Sequence, residues 1–198
     1  MGRKLKPFDR TYVINLPPRQ TKLEGEKVYA KPPFAGFTVN NMRRNGRAEF
    51  GVNLSHIKAI VHAIQDGAER PLFLEDDIQL IGTCPELPPD YDVFYLGGHP
   101  RSPTKPYSAG IVRVGTFSFA ESYSISRPAL LRFFDFWCDR IGQPQAMFDF
   151  VLGEFAAANK GYACYPIVTR QVTGVSQVSG KQDDKTELLR KGWATNLA

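Results

Sequence analysis

The chain has 198 residues, enough for one sizeable core and short of the length at which two full domains become the default. Apolar residues make up 42%, aromatics 12% and charged residues 23%, a globular composition that excludes disordered, collagen-like and coiled-coil classes. The net charge of +5 is uneven: residues 1–50 hold 11 basic and 4 acidic side chains, net +7, whereas the other 148 residues carry net −2, so only the N-terminal quarter has the charge to face a polyanion.

No run approaches the roughly 18 apolar residues of a membrane span. Met1 to Arg10 lacks the apolar stretch of a signal peptide, so the chain reads as cytoplasmic, with peripheral membrane contact left open. Cys84, Cys138 and Cys164 are odd in number and far apart, which points away from a disulfide framework or a zinc ribbon.

After a basic arm at 1–10, Thr11 to Leu16 (TYVINL) is predicted as a buried strand stopped by Pro17 and Pro18. From Pro18 to Phe50 the glycines, the pair Pro32 and Pro33, and the cluster Arg43, Arg44, Arg47 predict a loop-rich connection. Leu54, Ile57, Val61 and Ile64 fall at helical spacing, with Asn53 or Ser55 as N-cap and Gly67 as the stop. Pro71 to Leu74 is a brief strand ending in Glu75-Asp76-Asp77, after which Ile78 and Leu80 resume apolar character. A proline-rich link, Cys84 to Pro89, leads to a strand over Asp92 to Leu96 and the glycine turn Gly97-Gly98-His99.

Ile111 to Val114 and Ala120 to Ile125 are predicted strands, the second feeding a helix that Pro128 opens and that runs through Leu131, Phe134 and Trp137. Gln145 to Asn159 reads as a further helix whose stripe Phe148, Val151, Leu152 and Phe155 is core, and Tyr162 to Val168 as a last strand. Residues 174–198 read as a polar tail anchored by Trp193. Alternating strands and helices predict one α/β domain over 11–173, a sandwich with a mainly parallel central sheet flanked by helices.

Glu75-Asp76-Asp77 is the chemical centre. Three adjacent carboxylates repel one another, and a buried strand tolerates them only beside a cation or a donor network. Along an extended segment alternate side chains share a face, so Glu75 and Asp77 are expected to point together and to suit Mn²⁺ or Mg²⁺, with Asp76 turned away. Ligands of open α/β sheets sit beyond the carboxyl ends of strands, where this triplet lies. A solvated acidic turn is the plainer alternative.

The order TYVINLPPR, AEFGVNLSHIKAI, PLFLEDDIQL, VFYLGG resembles glycosyltransferase family 25, which includes bacterial lipooligosaccharide and collagen galactosyltransferases. The resemblance rests on Ile14-Asn15-Leu16 with Arg19, on Gly51 with Ser55-His56, on Leu74-Glu75-Asp76-Asp77, and more weakly on SYSISR at Ser122 to Arg127 and on Phe148-Asp149. It covers about residues 11 to 170. Two features depart from the family pattern: the segment between Arg19 and Phe50 is short, and Val52 stands where a cysteine is expected.

The resemblance implies a GT-A-like nucleotide-binding fold, a nucleotide-sugar donor of the UDP type, and Mn²⁺ or Mg²⁺ held by Glu75 and Asp77. Asp76 would then hold a ribose or sugar hydroxyl, and Asn15 and Arg19 would lie near the nucleotide. Ser55 and His56, expected at a helix N-terminus, would bond the nucleotide or diphosphate, capping alone being the other reading. Gly97, Gly98 and His99 form a turn that lets backbone approach a ligand, or a plain surface turn. Displacement at the anomeric carbon needs a base for the acceptor hydroxyl, and Asp149 is first choice, ahead of Glu121 and Glu154, with helix capping as its alternative role. The acceptor implied is a surface glycan such as lipooligosaccharide. A phage-type enzyme that glycosylates hydroxylated DNA bases, with Arg43, Arg44 and Arg47 tracking phosphates, is an alternative, and so is a catalytically silent nucleotide-sugar-binding module.

Overall fold

The computed structural model describes residues 7–15, 26–29, 46–141, 143, 146–172, 174–175, 182–183 and 186–197. In chain order the elements are β1 (Arg10–Asn15), β2 (Glu26–Tyr29), α1 (Gly46–Gln65), β3 (Pro71–Glu75), β4 (Ile78–Leu80), β5 (Val93–Tyr95), β6 (His99–Pro100), β7 (Lys105–Ser108), β8 (Ile111–Arg113) and β9 (Phe117–Ser118). Then follow β10 (Ser122–Ile125), α2 (Arg127–Cys138), α3 (Phe148–Ala158), β11 (Gly161–Cys164), β12 (Thr169–Gln171), β13 (Gly174–Val175), β14 (Gln182–Asp183) and α4 (Thr186–Asn196). No helix among the described residues is long and apolar enough to cross a membrane.

Strands β1 and β3 are runs of bulky apolar residues with no polar alternation, so both faces are buried and they pair at the heart of the sheet. The main sheet has eight strands in the order β2-β1-β3-β10-β5-β11-β8-β7. It is mixed rather than mainly parallel. Strands β1–β2, β1–β3 and β5–β11 pair parallel, whereas β10 runs antiparallel to both β3 and β5, and β8 runs antiparallel to both β11 and β7. The reason is the connection from β5 to β10, which contains no helix. A parallel return needs a crossover; without one the chain enters β10 from the edge at which it left β5.

The core divides at the sheet. On one face Tyr12, Ile14, Phe73, Val93, Tyr95, Tyr123 and Ile125 meet α1, α2 and α3. On the other, Leu72, Leu74, Phe94, Leu96, Tyr162 and Cys164 are covered by Ile78, Leu87, Tyr91 and Val168, from β4 and irregular segments. Among the described residues, helices therefore flank one face, not both.

Two helices are turned relative to the sequence expectation. Helix α1 begins at Gly46, well before Asn53, and buries Ser55, His56, Ala59, Ile60 and Ala63, leaving Leu54, Ile57, Val61 and Ile64 half-buried. Apart from His56 and Ile60, that inner face carries only small side chains. In α2 the buried residues are Ala129, Leu130, Phe133 and Trp137, while Leu131 is 60% exposed. In α3 the stripe Phe148, Val151, Leu152 and Phe155 is buried as expected.

The segment read as a polar tail contains α4, which packs against β6. Trp193 Nε1 donates to the Gly98 carbonyl at 3.0 Å, and Asn196 Nδ2 donates to the Pro100 carbonyl at 3.0 Å. Gly98 has φ +97°, and a Cβ there would lie 2.6 Å from the Ser118 carbonyl oxygen, so only glycine fits this turn.

Candidate functional site

One edge of the sheet collects the carboxyl ends of β1, β3 and β5 and, because β10 is reversed, the start of β10. Asn15, Glu75, Glu121 and Gly97 all lie there. Glu75 is the last residue of β3, and Asp76-Asp77 form the two-residue turn before β4. Strand β4 leaves the main sheet and pairs with β12, setting Gln171 opposite Ile78, and Val172 N–H donates to the Asp77 carbonyl at 2.7 Å. That pairing brings a glutamine from more than ninety residues away onto the acidic turn.

Gln171 Nε2 donates to Glu75 Oε2 at 3.2 Å and to Asp77 Oδ1 and Oδ2 at 3.1 and 3.0 Å. Glu75 and Asp77 thus converge on one point, as the sequence leads one to expect, but by a turn and not by strand alternation. The site of convergence holds a donor with partial positive charge between two hard oxygen donors. This donor set fits Mn²⁺ or Mg²⁺. Among the described residues no group of three His, Cys, Asp or Glu side chains is arranged to hold a metal.

The other oxygen of Glu75 faces His56. His56 is 1% exposed, with Nε2 3.4 Å from Glu75 Oε1 and Nδ1 3.0 Å from the Tyr123 hydroxyl. Burial, with Glu75's charge adding to it, holds the Tyr123 phenol well above its ordinary value, so it stays protonated. Both contacts are satisfied when Tyr123 donates to Nδ1 and Nε2–H donates to Glu75. The ring is clamped further by Phe148, stacked at 4.2 Å and 15°.

Asp149 stands in the first turn of α3. Burial raises its carboxyl above the usual range and Glu75's charge adds to this, while N–H groups of Phe150 and Phe119, and His56, pull the other way. The Phe150 contact is 2.9 Å. Phe119 donates from a left-handed conformation, φ 70°, that a bulky residue adopts at a cost of about 1–3 kcal/mol. Strain here serves to aim an N–H at a carboxylate. Asn53 shares the open end of α3 with Asp149: Asn53 Oδ1 accepts Phe148 N–H at 2.9 Å while its Nδ2 donates to the Ala146 carbonyl, and Asp149 Oδ1 accepts Phe150 N–H.

The structure therefore brings together Glu75, Asp77, His56 and Asp149. Glu121 is buried beside Gly97, where a Cβ would lie 2.7 Å from Glu121 Oε1, and its backbone carbonyl accepts Glu75 N–H at 2.8 Å. Asn15 is buried one residue beyond the Ile14–Glu75 pair, and its Oδ1 has no hydrogen-bond partner among the described residues. Asp76 occupies the turn.

Four expectations change. Ser55 and His56 lie in the middle of α1, so no helix N-terminus assists them, and Ser55 Oγ donates to the Gly51 carbonyl one turn back at 2.6 Å. His99 contacts Ser118 Oγ at 3.3 Å and the Phe119 ring, with Gly192 of α4 against it; burial, then Arg101, lowers its pKa. Gly98 is covered by Trp193. Glu154 is 58% exposed and pairs with Arg140 at 3.3 Å, away from the carboxylate cluster. Arg19, Arg43 and Arg44 lie outside the described residues, as does the side chain of Arg47.

Sequence reasoning missed Tyr123, Tyr95 and Gln171. Tyr123 shares strand parity with Ile125 and Tyr95 with Val93, an inward-facing signal that was available in the pattern. Gln171 had none. No family model matches the chain, and no curated protein matches it.

Proposed function

We propose that the chain is a metal-dependent glycosyltransferase that moves a hexose from a UDP-type nucleotide sugar to the hydroxyl of a surface-glycan acceptor such as lipooligosaccharide. The observation that carries this reading is the convergence of the Glu75 and Asp77 carboxylates on a single point at the carboxyl edge of the sheet, beside a buried Asp149 of raised proton affinity. A sheet edge with a reversed strand next to the acidic strand is compatible with the GT-A-like arrangement that the motif order implies.

Glu75 and Asp77 would hold Mn²⁺ or Mg²⁺, which when bound supplies Lewis-acid stabilisation for a departing diphosphate. The chain's own residues do the rest. Tyr123 and Phe148 fix the His56 ring, and His56 fixes Glu75. Asp149 accepts the acceptor hydroxyl proton as the new carbon–oxygen bond forms and the sugar–phosphate bond breaks, the electron pair leaving with UDP. Burial raises its pKa and makes it a stronger base than a solvated aspartate.

Incubating the protein with UDP-hexoses and lipooligosaccharide and measuring UDP release tests the reading. The expected result is release with at least one donor that depends on Mn²⁺ or Mg²⁺ and stops on chelation. Absence of divalent-dependent release with every UDP-hexose contradicts it.

A further inference from the structure

We propose that Gln171 is itself part of the cation site, its side-chain carbonyl acting as a third oxygen ligand beside Glu75 and Asp77; this rests on the reading that those carboxylates hold a divalent cation. The end of the Gln171 side chain lies 3.0 to 3.2 Å from three carboxylate oxygens. In an octahedral shell with bonds of about 2.1 Å, neighbouring oxygen ligands are about 3.0 Å apart, the bond length times the square root of two. The amide terminus therefore already stands at ligand-to-ligand spacing from both carboxylates.

A glutamine amide carries a donor end and an acceptor end of similar size, exchanged by a half-turn about its last torsion. Here it presents NH₂ to the carboxylates, which offsets part of their mutual repulsion. Facing a cation it presents the carbonyl. Its backbone is held in place for either role by the pairing of β12 with β4 and by the Val172 N–H bond to the Asp77 carbonyl.

A separate observation at the same sheet edge points to a ligand. Asn15, one residue beyond the Ile14–Glu75 pair, is 4% exposed and its Oδ1 has no hydrogen-bond partner among the described residues. An orphaned buried amide oxygen of this kind is satisfied when a ligand arrives. Charge explains why the third protein ligand is an amide. Two carboxylates neutralise a dication, and a third would repel the diphosphate oxygens that complete its shell.

The test is Mn²⁺ binding to the full chain, read from the electron paramagnetic resonance signal of free Mn²⁺, for wild type, Asp77→Asn, Gln171→Leu and Gln171→Glu. Loss of even an outer-shell partner weakens metal binding roughly 10- to 100-fold, so Gln171→Leu is expected to bind Mn²⁺ at least about tenfold more weakly. Gln171→Glu is expected to bind Mn²⁺ at least as tightly as wild type, and to melt lower than wild type in chelator but recover on adding Mn²⁺. If wild type binds and Asp77→Asn does not, yet Gln171→Leu binds as well as or better than wild type, the inference is overturned and the functional reading stands. If wild type itself does not bind Mn²⁺, both are overturned.

Discussion

Asp149→Asn is expected to lower sugar transfer by roughly 10²- to 10⁴-fold, the range spanned by loss of a positioned general base, and to gain thermal stability relative to wild type as pH rises. The two effects have one cause. Asp149 is buried among Phe148, Phe150 and the backbone of Phe119, and burial raises its carboxyl pKa in the folded state. Between the ordinary aspartate value, about 3.9, and the raised folded value, the folded chain binds more protons than the unfolded chain, so stability falls as pH rises through that window. Above the folded pKa the full cost of a buried charge is present. Asparagine carries no such charge and keeps an oxygen for the Phe150 N–H. The difference in Tm, variant minus wild type, is therefore expected to grow in the variant's favour as pH rises from about 4 and to level off above the raised folded value. Melting curves across that range check it. A difference that moves the other way would mean that Asp149 is stabilised as an anion by its N–H donors and is no tuned base.

Phe148→Ala is the substitution with the largest expected structural effect. Phe148 is 2% exposed and its ring meets His56 at 4.2 Å, Phe133 at 5.6 Å, and Tyr123 and Trp137 at 5.7 Å. It is the residue at which α1, α2, α3 and β10 come together. Truncating a buried phenylalanine costs about 3–5 kcal/mol, a large part of the roughly 5–15 kcal/mol that holds a domain folded. For a chain of this size that is a fall in Tm of roughly 6–20 °C. Because the lost ring also clamps His56, the folded fraction is expected to show weakened divalent binding as well. A change of less than about 2 °C would show that Phe148 is not the keystone of this face.

The central strands were legible in the sequence because such strands advertise themselves. TYVIN and PLFLE are short, bulky and apolar, bounded by proline and charge, and each became a strand within a residue or so of its expected limits. Strand direction was not legible. Parallel pairing was expected from alternation, but nothing local marks β10 as a strand entered from the same edge that β5 leaves. The helical faces were misread for a different reason. In α1 the most apolar stripe, Leu54, Ile57, Val61 and Ile64, is not the most buried one; the sheet instead receives Ser55, His56, Ala59, Ile60 and Ala63, three of them small. Hydrophobic spacing finds the helix here but not its face.

The site divides along the same line. Glu75, Asp77 and Asp149 could be chosen by chemistry, since carboxylates beside buried strands and helix ends need a reason to be there. Gln171 could not, for an isolated glutamine carries no such tension, and its place on Glu75 and Asp77 follows only from the pairing of two three-residue strands, β4 and β12. Glu154 shows the converse. A carboxylate near Asp149 in sequence is a plausible base, yet five positions along a helix turn it away, out to Arg140.

The central claim is that Glu75 and Asp77 hold a divalent cation through which a nucleoside diphosphate is bound. Its most direct measurement is the shift in Tm caused by UDP, with Mn²⁺ and with chelator, in wild type and in Asp77→Asn. At a UDP concentration near one hundred times Kd, binding stabilises the folded state by about 2.7 kcal/mol, a rise of roughly 5–11 °C for a domain of this length. The expected result is that rise in wild type with Mn²⁺ and its loss both with chelator and in Asp77→Asn. A UDP shift of equal size with chelator or in Asp77→Asn, or no shift in wild type with Mn²⁺, would contradict the account.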